Sequence, residues 1–251
     1  LLGQNVNSFG KENGETIADL IMRLDEIEGL KLLRYTSSHP YNVSDELIEA
    51  HGKSKKLSKH LHLPVQSGSV SVLERMKRKH SAAHYLDILK KLRGAQPDIV
   101  LSTDIIVGFP NETEEEYKAT LKLLDDAQFD FIYAYKYSPR AKTKAAEMED
   151  SLEEDVKKKR LVDLQNYQLN IQEGIRKDLV GKTLYGLVEE VKEKNGVKKW
   201  MARTDCFRIV HFEPTDPDFD LKWHWVELEI TSATALSCQG KLVKDYGKEG
   251  K

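Results

Sequence analysis

Up to about residue 180 the apolar residues alternate between helical and strand spacing, and beyond it they follow strand spacing alone. Leu1 to Val6 reads as a buried strand ending in polar Asn7 and Ser8. Ile17, Leu20, Ile21, Leu24 and Ile27 then form the stripe of a helix that Gly29 closes, and Leu32 to Thr36 is the next strand. Ser44 caps a short helix, a polar connector from Ser54 to Lys59 follows, and His60 to Val65 is a third strand. After the polar turn Gln66-Ser67-Gly68-Ser69 come a short helix with Leu73 and Met76 and a longer one with Tyr85, Leu86, Leu89 and Leu92. Asp98 to Val107 is the fourth strand. Its β-branched run Ile105-Ile106-Val107 suits a sheet covered on both faces, and Gly108 and Pro110 stop it. Asn111 is expected to cap the helix from Thr113 to Ala127, with Tyr117, Leu121 and Leu124 facing inward and Glu112 to Glu116 as a solvated acidic start. Phe129 to Tyr137 is the fifth strand.

Five strands separated by helices predict right-handed crossovers and a parallel sheet or barrel, so the class is α/β. Ser151 to Val180 reads as one long charged helix whose apolar contacts include Val156, Leu161, Leu164, Tyr167, Leu169 and Ile171. From Gly181 the period-two runs Leu184 to Val191, Arg208 to Phe212 and Trp225 to Thr231, with turns at Asn195-Gly196 and Pro214 to Asp220, predict a small antiparallel β-barrel. Two domains are therefore expected, 1–180 and 181–251, with a frayed tail after Asp245.

Composition narrows the function. Hydrophobic residues make up 39% and charged residues 32%, and no apolar run approaches the roughly 20 residues of a membrane span. A net charge of −2 leaves only local patches for a nucleic acid. Cys206 and Cys238 lack metal-ligand spacing and read as reduced core residues of a cytoplasmic protein.

Strand ends supply the candidate chemistry, because ligands of parallel α/β folds bind at the carboxyl ends. Gln4 and Asn5, Ser38 and His39, and Gln66, Ser67 and Ser69 occupy such ends, and Val107, Gly108 and Phe109 form the corner after the fourth strand. His60 and His62 share one strand face, and the readings are a metal pair that lacks a third ligand nearby, polar barrel lining or buried hydrogen-bonded histidines, and the working residues of an unrelated hydrolase or aldolase. Tyr137, Arg140, Lys142 and Lys144 could hold phosphate or simply be solvated, and the basic run from Arg75 to His80 leaves the same two readings. In the small barrel, Trp200, Arg203, Phe207, Arg208, His211 and Phe212 interleave rings and cations. They serve as core or as a nucleic-acid surface with Arg203 and Arg208 outward.

The strings Gly3-Gln4-Asn5-Val6-Asn7-Ser8, Thr36-Ser37-Ser38-His39-Pro40, His60 to Ser69, Ser102 to Pro110 and Tyr137-Ser138-Pro139-Arg140 together resemble the MiaB-type radical S-adenosylmethionine tRNA methylthiotransferases. The wording of Leu61 to Ser69 is closer to the isopentenyladenosine branch than to those acting on threonylcarbamoyladenosine or a ribosomal-protein aspartate. The resemblance implies an incomplete radical-SAM-type (β/α) barrel followed by a TRAM-like RNA-binding barrel. It implies S-adenosylmethionine and two 4Fe-4S clusters as cofactors, and tRNA and an electron donor as partners; the sequence does not fix the oligomeric state, and a monomer is the expectation. The first strand, its C-x-x-x-C-x-x-C loop and the auxiliary-cluster domain are not in this sequence, so these residues alone are expected to be inactive, in effect a tRNA-binding module. Carried over, Gly3, Gln4, Asn5, Ser38, Gln66, Ser67, Ser69, Asp104, Val107, Gly108 and Phe109 are the expected cofactor contacts. Tyr137, Arg140, Lys142, Arg203 and Arg208 are the expected RNA contacts. Three positions depart from the family pattern: Asn111 stands for Gly, Val70-Ser71 for Asp-Arg, and Ala141 to Lys144 for Pro-Gly-Thr-Pro. Asn111 is tolerable if its φ is negative, and the second change costs a possible carboxylate contact.

Overall fold

The computed structural model describes residues 1–250 except 11, 37, 195–196, 214–215 and 217–218. The expected turn at Asn195-Gly196, part of that from Pro214 to Asp220, and Ser37 lie outside the described residues. No helix among the described residues is long and apolar enough to cross a membrane.

The first half alternates helix and strand: α1 (Ile17–Asp25), α2 (Asp45–Lys53), β1 (His60–His62), α3 (Val70–Arg75), α4 (Ala82–Ala95), β2 (Val100–Val107), α5 (Glu114–Ala127) and β3 (Phe131–Lys136). Side-chain caps start most of the helices: Thr16, Ser44, Ser69, Ser81 and Thr113 each accept from the amide three residues on. The strands form a parallel sheet in the order β1-β2-β3. Leu61, Leu63, Leu101 and Ile105 pack with Tyr85, Leu89 and Leu92 of α4 in the core.

Two of the five expected strands are not strands here. Val6–Ser8 is a 3₁₀ turn, and Leu1 is tied only through its amino group to Arg34 O and its carbonyl to Thr36 N. Leu33 makes a single parallel bridge to Leu57. A strand needs a ladder to satisfy its amides, and neither segment finds more than a rung or two.

The acidic corner also differs. Asn111 has a φ of 57°, tolerable for Asn but not the negative value expected. Its side chain clamps a loop, accepting from Ser151 N and donating to Glu149 O. Thr113 is the helix cap, with Glu116 reaching back in a capping box. Glu112 is buried against Arg160 at 2.8 Å, and Glu116 is bidentate with Arg75 at 2.8 Å, so these acids are structural and not solvated.

The long helix α6 (Glu154–Lys177) buries a mostly polar stripe of Lys157, Arg160, Leu164, Gln168, Gln172 and Arg176, while Val156 is exposed. Gln168 donates to Phe129 O and Arg176 to Asp130 O, which seats the helix across the start of β3.

Strands β4 (Thr183–Lys194), β5 (Val197–Thr204), β6 (Ile209–Phe212), β7 (Trp225–Ala233) and β8 (Cys238–Asp245) close a barrel in the order β4-β5-β6-β8-β7. Its pairs are antiparallel except β6 with β8. Trp200, Phe212, Val226, Leu228 and Cys238 fill it. The tail is held as far as Gly247, since Tyr246 N donates to Trp225 O and Trp225 N to Gly247 O. Arg34 Nη2 donates to Thr204 O, Ser58 Oγ to Asp205 O and Gln172 Nε2 to Ala235 O, joining the barrel to the α/β half.

Candidate functional site

Parallel pairing decides which side chains meet. Register sets His62 against Ser102, Asp104 against Tyr133 and Ile106 against Tyr135, so these residues share one face of the sheet, opposite the leucine core. On this face Tyr133 and Tyr135 are about half exposed.

A cavity of 360 Å³ opens at the edge of this face. Gln4, Asn5, Ser38, Gln66 and Asp104 line it, joined by Thr36, His39, His62, Pro64 and Arg78. Each reaches it for a local reason. Asn7 exchanges two hydrogen bonds of 2.9 Å with the backbone of His39, fixing the Ser38-His39 corner. Pro64 has no amide to donate and ends β1; Val65 N instead donates to Thr103 Oγ1, which donates to Leu63 O. Gln66 then turns with a φ of 77° and rejoins β2, its N donating to Asp104 O and its O accepting from Ile106 N. Helix α3 ends in a Schellman motif: Lys77, at a φ of 58°, donates to Glu74 O, and Arg78 N donates to Leu73 O. That reversal delivers the Arg78 side chain to the cavity.

Electrostatically the cavity is incomplete. Asn5 Oδ1 and Ser38 Oγ are buried without a hydrogen-bond partner. Arg78 has no ion pair among the described residues, and burial, opposed only by the Asp104 charge, pushes its guanidinium below its ordinary value. Burial, together with the charges of Arg78 and Lys79, also lowers His39. A half-buried cation without an ion pair favours an anion, and a buried amide oxygen without a partner favours an N–H donor.

The other expected contacts lie elsewhere. Ser67 bonds Thr120, and Ser69 caps α3. Val107 and Phe109 are buried, Gly108 N donates to Glu112 Oε1, and Gly3 lies on the surface outside the cavity lining. Among the expected RNA contacts, Arg140 and Lys142 are exposed with no ion pair among the described residues, and Tyr137 packs against Phe109. Arg203 is held by Glu189 at 2.8 Å. Arg208 does not point outward: it is buried on Asp130 at 2.6 Å, where an inter-domain carboxylate outcompetes solvent.

A larger cleft of 920 Å³ lies at the amino ends of the strands, between the two halves. Several of its charges are paired within the protein: Lys59 is shared by Asp98 and Asp205, and Arg208 pairs with Asp130. The smaller cavity is the better site.

Residues 6–124 match the model of the radical SAM superfamily. That stretch is a radical SAM domain. The chain also superposes on coproporphyrinogen III oxidase from Escherichia coli, described as a radical SAM enzyme, with a TM-score of 0.51. The likeness covers 85% of this chain and 50% of that one at 12% identity, and so concerns the fold. Over 246 residues the chain is 43% identical to a tRNA-2-methylthio-N(6)-dimethylallyladenosine synthase of Thermoanaerobacter sp. (strain X514), 97% of this chain and 51% of the relative. A protein of the same name from Acidithiobacillus ferrooxidans (strain ATCC 53993 / BNL-5-31) is 42% identical over 96% of this chain and 53% of its own length. The chain thus spans about half the length of the curated relatives it matches. Arg78 is the site residue that sequence reasoning missed; its signal was the basic run after the Gln66 turn, whose direction only the helix end settles.

Proposed function

We propose that the protein carrying this chain is a radical S-adenosylmethionine tRNA methylthiotransferase acting at C2 of N6-isopentenyladenosine, the reaction named for its relatives. The observation that carries the reading is the set of unsatisfied groups in the cavity. Arg78 and Ser38 Oγ fit a carboxylate, while Asn5 Oδ1 and Asp104 fit an ammonium, which together describe the α-amino-acid end of S-adenosylmethionine. Bound beside a reduced 4Fe-4S cluster, that cofactor supplies a carbon radical for abstracting hydrogen from an unactivated C–H bond.

This chain's own residues bind and orient. Arg78 and Asn5 fix the aminoacyl end, and Gln66, beside them, limits its rotation. Tyr133 and Tyr135 offer ring faces on which a flat base can stack next to the cavity. Arg140 and Lys142, free of carboxylates, take the RNA backbone at the rim. The cluster has no ligands here: Cys206 and Cys238 are buried as free thiols in the terminal barrel and do not fit one. The protein acts in the cytoplasm, on tRNA, as a monomer drawing electrons from a separate reductant.

Disrupting the gene and digesting the cell's tRNA to nucleosides for mass spectrometry tests the assignment. The 2-methylthio form of isopentenyladenosine should vanish while isopentenyladenosine itself accumulates. Loss of the methylthio group from threonylcarbamoyladenosine, with the first unchanged, would overturn it in favour of the neighbouring branch.

A further inference from the structure

The terminal barrel reaches the inner face of the sheet through the turn between β5 and β6, and the side chain at its tip is Phe207. Its φ of 72° lies in the left-handed region, which is strained for a residue with a Cβ. The turn is held there by Phe207 N donating to Thr204 O and Arg208 N donating to Thr204 Oγ1, both at 2.9 Å. The result is a ring laid parallel to the imidazole of His60, centroids 4.8 Å and planes 11° apart, with Phe131 stacked on His60 at 5.4 Å. Arg34 and Arg203 rest on the same Phe207 ring.

From His60 a hydrogen-bonded chain climbs the sheet. His60 Nε2 is 2.8 Å from Ser102 Oγ, Ser102 Oγ is 2.9 Å from His62 Nδ1, and His62 Nε2 is 3.4 Å from Asp104 Oδ1. A hydroxyl between two imidazole nitrogens can donate to only one of them. Of the two neutral tautomers of His62, the Asp104 carboxylate selects the one with its proton on Nε2. Nδ1 then accepts from Ser102, and Ser102 Oγ accepts from His60 Nε2–H. Only this direction satisfies all four groups, and it ends at the cavity wall, which His62 and Asp104 line.

We infer that Phe207 and His60 are positioning residues for the cavity: by stacking on His60, the barrel's turn holds in place the imidazole whose Nε2–H meets Ser102, and so anchors the far end of the chain that runs through His62 to Asp104 and sets how that carboxylate faces a ligand. An RNA-facing domain would thereby set the geometry of a site at the other end of the sheet. The meaning for an aminoacyl ligand rests on the function proposed above; the chain of hydrogen bonds does not.

Burial holds His60 down at about 3, and the neighbouring His62, Arg34, His51 and Arg208 push the same way. A base lowered on folding contributes stability that is complete above its ordinary value near 6.5 and is lost as pH falls toward the folded one.

Long-range proton–nitrogen NMR of the 251-residue protein tests this, with Phe207→Ala, Phe207→Leu and Phe207→Tyr compared with wild type. His51, buried against Tyr35 and held down at about 4 by its own burial, reports whether the fold persists. In wild type and Phe207→Tyr, His60 and His62 should both carry their proton on Nε2, and His60 should not titrate between about pH 8 and about pH 5. In Phe207→Ala and Phe207→Leu, with His51 unchanged, the His60 midpoint should rise by at least about one pH unit and the two nitrogens of His62 should draw together in shift. Ser102→Ala should produce the His62 change while Phe207 still covers His60, with the His60 Nε2 shift altered by the loss of its acceptor. Wild-type nitrogen shifts at both residues in a folded Phe207→Leu protein would overturn the inference, as would a proton on His62 Nδ1 in wild type. Failure of the whole reconstituted protein that carries this chain to modify tRNA, with these shifts present in the 251-residue chain, would count against the proposed function and leave the inference standing.

Discussion

Thr103 shows how one hydroxyl carries a strand past a proline. Pro64 breaks the ladder between β1 and β2, and Thr103 Oγ1 fills the gap by accepting from Val65 N and donating to Leu63 O. Replacing it with Val keeps the shape and leaves Val65 N buried without a partner, while Leu63 O keeps only the Tyr85 hydroxyl. Thr103→Val should therefore lower stability by about 1–3 kcal/mol, read as a lower urea midpoint at unchanged m. A shift below about 0.5 kcal/mol would mean that water or a shifted backbone replaces the hydroxyl. Arg78 is the residue that gives the cavity its sign. Its place was not legible from the basic run alone, since Lys77 at a positive φ decides which way the chain turns.

Helices and strands differ in how far their residues announced them. Helix caps were readable at Ser44, because a serine before an acidic pair can serve only one end of a helix. The corner after β2 was not, because Asn111 and Thr113 are both competent caps and the choice falls to a contact of Asn111 with Glu149 and Ser151, far along the chain. In the same way Leu32 to Thr36 has strand composition, but a strand also needs a neighbour of matching length. Period-two patterning found the barrel, yet could not say which arginines face out. Arg208 lies on Asp130 at the joint between the halves, and Arg140 and Lys142 stand free at the rim. Arg208→Ala should cost about 3–5 kcal/mol of stability by stranding Asp130. The slope of tRNA affinity against salt should stay as in wild type. Arg140→Ala and Lys142→Ala should each flatten that slope by about 1 without changing stability. The reverse pattern in filter-binding titrations and melting curves would move the RNA surface to the barrel's arginines.

Taken whole, the molecule is a three-stranded parallel sheet with its inner face open, and a closed barrel whose turn reaches that face from one end while the cavity opens at the other. The resemblance seen in the sequence strings brought five of its eleven expected cofactor contacts into one cavity: Gln4, Asn5, Ser38, Gln66 and Asp104. The remaining six are turn, core and surface positions. Strand ends could be named from the sequence, but which side of each end turns inward depends on Pro64, Gln66 and the Asn7 clamp. The central claim is that Arg78 holds the carboxylate of S-adenosylmethionine in this cavity. The most direct measurement is the steady-state kinetics of the reconstituted protein that carries this chain, wild type against Arg78→Ala and Arg78→Lys, on tRNA bearing isopentenyladenosine. Wild type should form the 2-methylthio product. In Arg78→Ala the KM for S-adenosylmethionine should rise by roughly 30-fold or more, the equivalent of about 2 kcal/mol, with the KM for tRNA unchanged and partial recovery in Arg78→Lys. No product from wild type, or an unchanged KM for S-adenosylmethionine in Arg78→Ala, would contradict the account.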